Sequence, residues 1–154
     1  YIDVVKHVGS DVPFFINKQP ATISGIGENV VNLNDTQPIK IIIAVPKKGL
    51  STKEIFEKYD EMKPKDTEKY SWNDISLFND LWNTSVEIYP ELNTIKQNLE
   101  DRYNKNFFMS GSGSALFSLF EENEEIEEID SEEFNLKYFS ITKKIDCSFS
   151  QNDD

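Results

Sequence analysis

The stretch Ile39 to Val45, "IKIIIAV", constrains the fold more than any other part of the chain. It is β-branched and almost continuously apolar, the pattern of a buried strand. Pro46 and Gly49 close it. Behind it comes "STKEIFEKYDEM", residues 51 to 62. Ser51 with Glu54 three residues on is a capping box, and Ile55, Phe56 and Tyr59 make an inward face. The spacing predicts a helix over about 52 to 62.

The remaining elements follow from the same signals. "ATISGIGENVVNL", residues 21 to 33, reads as two short strands around a Gly25-Ile26-Gly27 turn. Residues 63 to 71 are polar and read as a loop. Ile75, Phe78, Trp82 and Val86 recur at helical spacing. Pro90 breaks that helix and suits the first turn of another, with Leu92, Ile95 and Leu99 as its apolar stripe. "NFFM" and "ALFSLF" read as strands flanking a Gly/Ser turn at 110 to 114. Residues 121 to 133 hold eight Glu and one Asp, a solvated helix face or a surface insertion. "FNLKYFSI" is a last strand, and the polar tail after Cys147 frays. The order is two strands, three helices, two strands, a short helix and a strand. No βα unit repeats, so the expected class is α+β: one mostly antiparallel sheet with helices on one face.

Composition excludes several functions. With 154 residues, 38% of them hydrophobic, the chain fits one domain with a real core. A net charge of −12 argues against nucleic-acid or acidic-membrane partners, which need a basic patch. Cys147 is the only cysteine and His7 the only histidine, so no disulfide, zinc site or serine-histidine triad is expected, and no metal is assigned to the protein's side chains. The longest apolar run, Ile41 to Pro46, is far too short to span a bilayer. The first residue is Tyr1 and the only methionines are Met62 and Met109, so the chain is expected to be processed or to be part of a longer protein.

Three stretches are candidates for chemistry. In "GSDVPFFI", residues 9 to 16, Asp11 reads either as a turn or N-cap aspartate or as a partly desolvated general base against Phe14 and Phe15. In "MSGSGSALF", residues 109 to 117, Gly111, Ser112 and Gly113 make either a hairpin turn or a nest of backbone N–H groups for an anion. The stretch is not a P-loop, because no Gly-Lys-Ser/Thr follows. It is not a dinucleotide fingerprint either, because Leu116 stands in the place of the third glycine. Thr52 and Phe56, one helical turn apart, are either core packing or a hydroxyl and a ring that hold a flat base.

Taken in order, "GSDVPFFI", "SGIGE", "VPKKGLSTKEIF", "FNDL", "YPEL" and "MSGSGSALF" resemble the second half of the 4-diphosphocytidyl-2-C-methyl-D-erythritol kinase family, within the GHMP kinase superfamily. The resemblance runs from about residue 5 to residue 120. It implies ATP-dependent phosphorylation of the 2-hydroxyl of 4-diphosphocytidyl-2-C-methyl-D-erythritol, in non-mevalonate isoprenoid biosynthesis. Asp11 then matches the catalytic aspartate that takes the hydroxyl proton. Ile26, Thr52 and Phe56 match substrate-binding positions, with Phe56 on one face of the cytosine. Gly111, Ser112 and Gly113 match the motif that supports the phosphate end. ATP is the implied cosubstrate, with Mg2+ held mainly through its phosphates.

The implied fold is a ferredoxin-like C-terminal domain over 21 to 146. Residues 1 to 20 would be the end of the N-terminal kinase domain, and 147 to 154 a polar tail. Two family features are missing from the sequence: the lysine that pairs with the aspartate, and the Gly/Ser-rich loop around the ATP phosphates. The expected partner is therefore the N-terminal half of the same protein, and the chain alone is expected to be inactive. The resemblance would place it in the cytoplasm of a bacterium or a plastid-type organelle of a eukaryote. A free-standing ferredoxin-like binding or regulatory module, with no catalysis, is the alternative. Another GHMP kinase, for homoserine or mevalonate, fits the quoted blocks less well.

Overall fold

The computed structural model describes residues 21–24, 29–32, 38–64, 69–72 and 75–143. Asp11, Ile26, residues 1–20 and the tail 147–154 lie outside them. The chain divides into two compact units, one of Tyr1–Pro38 with Ile145–Asp154 and one of Ile39–Lys144.

In the first unit, β1 (Ala21–Ser24) pairs antiparallel with β2 (Asn29–Asn32), from Ala21 opposite Asn32 to Ser24 opposite Asn29. These are the two short strands expected there.

The second unit is built on the run that constrained the fold. β3 (Ile39–Pro46) lies inside a four-stranded antiparallel sheet with β6 (Phe108–Met109), β7 (Leu116–Glu121) and β8 (Leu136–Lys143), in the order β6-β7-β3-β8. Ile42 is opposite Ser118 on one side and Ile141 on the other. Side chains alternate across a sheet, so Ile42 and Ala44 of β3 and Leu116 and Phe120 of β7 share one buried face. Ser118 shares it too, and its hydroxyl donates to the Asn106 carbonyl at 2.7 Å, which removes the cost of burying it.

The helices cover that face. α1 (Thr52–Met62) follows β3, and α2 (Trp82–Ile88) is separated from α3 (Glu91–Tyr103) by Pro90 at the position before the first turn of α3. Leu92, Ile95 and Leu99 of α3 are buried among Ile42, Ala44, Leu116 and Phe120. Each fully buried leucine contributes about 2 kcal/mol. No helix among the described residues is long and apolar enough to cross a membrane.

The strand order is that of a ferredoxin-like sheet, in which β3, β6, β7 and β8 take the four strand places of a βαββαβ unit. This is the α+β layer expected, with two local corrections.

The first concerns residues 70–81. Tyr70–Trp72 is a strand (β4), not loop, and Ile75–Leu77 is a strand (β5), not the start of a helix; Tyr70 pairs with Leu77 and Trp72 with Ile75. The helix begins only at Trp82. Asn79 explains the delay, because its Oδ1 accepts the Leu81 N–H at 2.9 Å and its own carbonyl accepts the Trp82 N–H at 3.1 Å. A side chain that satisfies nearby backbone in this way favours a turn over a continuing helix.

The second concerns the acidic run, which forms no helix between Glu122 and Asn135. Like charges three and four apart oppose a helix. Cations from other elements hold it instead. Lys105 reaches the Glu124 carboxylate, Lys40 the Glu124 carbonyl, Arg102 reaches Glu127 and Lys47 reaches Glu132. Ile126, Ile129 and Phe134 pack onto the core, so this segment stands where a second crossover helix would lie.

Candidate functional site

α1 starts where the sequence says it should. The Ser51 hydroxyl accepts the Glu54 N–H at 3.4 Å, and Lys63 closes the other end in the left-handed conformation, with φ 45°. Ile55 is fully buried, but Phe56 is 50% exposed, so it does not belong to the inward face expected of it. Its ring opens into a cleft of about 630 Å³ instead.

The opposite wall of the cleft is the turn between β6 and β7. Gly111 has φ +56° and Gly113 has φ +87°, a region that side chains disfavour. At Gly113 a Cβ would also lie 2.7 Å from the Met109 Sδ and 3.0 Å from a Leu50 methyl, so those side chains would have to shift as well. Within the turn, the Gly113 N–H donates to the Ser110 carbonyl at 3.0 Å and the Ser110 N–H to the Ala115 carbonyl at 2.9 Å. The Ser114 hydroxyl donates to the Lys48 carbonyl at 2.7 Å, which ties the turn to the loop before α1.

One hydrogen bond joins the two walls. The hydroxyls of Thr52 and Ser112, sixty residues apart in sequence, lie 2.9 Å from each other. Thr52, Phe56, Gly111 and Ser112 therefore line one cleft, with Gly113 beside them in the same turn. Asp11 and Ile26 lie outside the described residues. Phe78 and Asn79 are among the lining residues that the sequence does not single out. Both stand in the "FNDL" block, where the helical spacing of Phe78 and Trp82 points to a helix that the structure starts only at Trp82. Phe78 is 54% exposed, with the Lys69 ammonium 5.5 Å from its ring centre. Among the described residues, no group of three His, Cys, Asp or Glu side chains could hold a metal ion.

A family model described as GHMP kinases C terminal matches residues 69–132. The 4-diphosphocytidyl-2-C-methyl-D-erythritol kinase of Protochlamydia amoebophila is 36% identical over 74% of this chain and 40% of its own length. That of Clostridium acetobutylicum is 31% identical over 93% of this chain and 52% of its own length.

The chain carries the C-terminal domain of the GHMP kinases over residues 69–132.

It spans about half the length of the curated relatives it matches. A solved structure of a 4-(cytidine 5'-diphospho)-2C-methyl-D-erythritol kinase is similar, with a TM-score of 0.57 and 23% identity over 77% of this chain and 47% of that one. At that identity the likeness speaks for the fold, and it agrees with the antiparallel sheet and single helical layer described above. Within the GHMP kinase match, residues 69–132 include Phe78, Asn79 and the whole glycine turn, while Thr52 and Phe56 lie upstream of it.

Proposed function

We propose that this chain is the substrate-side half of a kinase that uses ATP to phosphorylate the 2-hydroxyl of 4-diphosphocytidyl-2-C-methyl-D-erythritol. The observation that carries this reading is the hydrogen bond between Thr52 and Ser112, which holds the candidate base-binding helix against the candidate phosphate turn. A substrate that carries a flat base, a diphosphate and the reacting alcohol in a row, and that meets the phosphates of ATP at the alcohol, needs those two features on one cleft.

In this reading Phe56 stacks on the cytosine and Thr52 supplies a hydroxyl beside it, with Ile26 near the nucleotide part. A stacked base contributes about 1–3 kcal/mol. Gly111, Ser112 and Gly113 support the phosphate end. Asp11 takes the proton of the attacking hydroxyl, and Mg2+ would be held mainly through the phosphates of ATP. Phosphoryl transfer depends mostly on positioning and on stabilising charge at the phosphates. A polypeptide without the phosphate-wrapping loop should therefore bind but not turn over. We assign residues 1–20 to the end of the N-terminal kinase domain, and a bacterial source would place the protein in the cytoplasm.

The test is a turnover assay of the complete polypeptide carrying this chain, with ATP and the cytidyl substrate. Asp11→Asn should lower turnover by about 10²–10⁴-fold with substrate binding retained. Near-normal turnover in that variant would remove Asp11 from the mechanism. Clear activity of the 154-residue chain alone would refute the half-site reading.

A further inference from the structure

Asn79 is committed to backbone through every arm of its side-chain amide. A carboxamide carries two N–H donors and one acceptor oxygen. The Asn79 Nδ2 donates to the carbonyls of Met109 and Gly111, each at 2.8 Å. Its Oδ1 accepts the Leu81 N–H at 2.9 Å. The amide therefore has one orientation, since turning it over would set its oxygen against two carbonyls. The two carbonyls it holds flank Ser110, where the chain leaves β6 and enters the glycine turn.

We propose that Asn79 is a positioning residue for the kinase reaction: by holding the carbonyls of Met109 and Gly111 it sets the backbone of the Gly111–Gly113 turn against the phosphate end of the substrates. This rests on the function proposed above and deepens it. The turn needs such a brace. Glycines allow it the positive φ values it uses, but they also leave it many other conformations. The Ser114 and Ser112 hydroxyls hold its far side and its tip. Asn79 alone, among the side-chain contacts described, grips the backbone of its near side. The local bond to Leu81 could be made by an aspartate equally well, so the carboxamide nitrogen at this position answers to the turn and not to the start of α2.

Asn79→Asp separates the two roles. It keeps the acceptor for Leu81 and turns an oxygen toward two carbonyls. In the complete polypeptide we expect kcat to fall about 100-fold, the scale of an ångström-sized misplacement, with KM for the cytidyl substrate nearly unchanged. In the 154-residue chain, backbone amide exchange at Gly113 should quicken while the strand amides of β7 keep their protection. Asn79→Ser, with one donor, should fall between wild type and Asp in both measurements.

Wild-type kcat in Asn79→Asp, or a rise in KM with kcat unchanged, would overturn the proposal. So would exchange that quickens equally at Gly113 and in β7, which would make Asn79 a general support of the fold. A wild-type polypeptide without activity would remove the kinase reading instead, and the exchange measurement would still decide whether Asn79 holds the turn.

Discussion

The two irregular segments on either side of β7 are held in opposite ways. The turn at 110–114 is fixed by short neutral hydrogen bonds, most of them to backbone carbonyls, and by glycines that no other residue can replace without strain. The segment at 122–135 is fixed largely by ion pairs, in which Glu127 and Glu132 have side chains 78% and 77% exposed, and by three apolar side chains on the core. Its neutral bonds to other parts of the chain include those from the Tyr103 hydroxyl to the Glu127 carbonyl at 2.8 Å and from the Lys47 N–H to the Asn135 carbonyl at 3.1 Å. The first arrangement defines atomic positions. The second only keeps a strap against the sheet. Backbone geometry is thus tightly held where the cleft is, and looser attachment suffices where it is not.

The strongest way to break that contrast is at the glycines. Gly113→Ala should destabilise the chain by about 3 kcal/mol, because its φ is strained and its new methyl meets Met109 and Leu50. Gly111→Ala should cost less, about 1–2 kcal/mol, because its surroundings are open and only φ is at fault. Urea unfolding of both variants measures the difference. Equal losses would mean that packing against Met109 adds nothing to the strain of φ.

The acidic segment offers a smaller effect with a definite sign. The hydrogen bond from Lys105, then that from the Glu121 N–H, holds the Glu124 carboxyl below the usual glutamate value of 4.5, and Lys40 adds to it. A depressed folded value means that the stabilisation is fully present above pH 4.5 and is lost as pH falls through the lowered value. Lys105→Ala should therefore move the Glu124 titration up toward 4.5, as read from its carboxyl carbon by NMR. A midpoint that stays put would show that Lys105 is not its main partner. The turn at 110–114 should not respond to the same change of pH.

The same contrast explains what the sequence made legible. "IKIIIAV" and the Ser51 cap announced β3 and α1 because their signals are local, and Pro90 announced the break between α2 and α3 for the same reason. Residues 75–81 misled because Ile75, Phe78 and Trp82 keep a helical spacing while Asn79 bonds to carbonyls thirty residues away. The acidic run misled because its partners, Lys40, Lys47, Arg102 and Lys105, come from other elements. The cleft was legible only in pieces. Periodicity put Phe56 inside, and nothing local linked Thr52 to Ser112; the order of the sequence blocks and their family resemblance did.

The smallest expected effect belongs to Lys47 and Glu132, whose side chains are 43% and 77% exposed. An exposed pair of this kind gains little Coulomb energy in water and gives part of it back in side-chain entropy, so Lys47→Ala should cost no more than about 0.5 kcal/mol. Salt sharpens the comparison, since the Debye length falls from about 10 Å at 0.1 M to about 3 Å at 1 M. Raising sodium chloride over that range should quicken amide exchange across 122–135 in wild type and leave Gly113 unchanged. In Lys47→Ala the salt response near Glu132 should shrink, because the pair that salt screens is already gone. A turn that loosens with salt as much as the strap does would erase the distinction between the two segments.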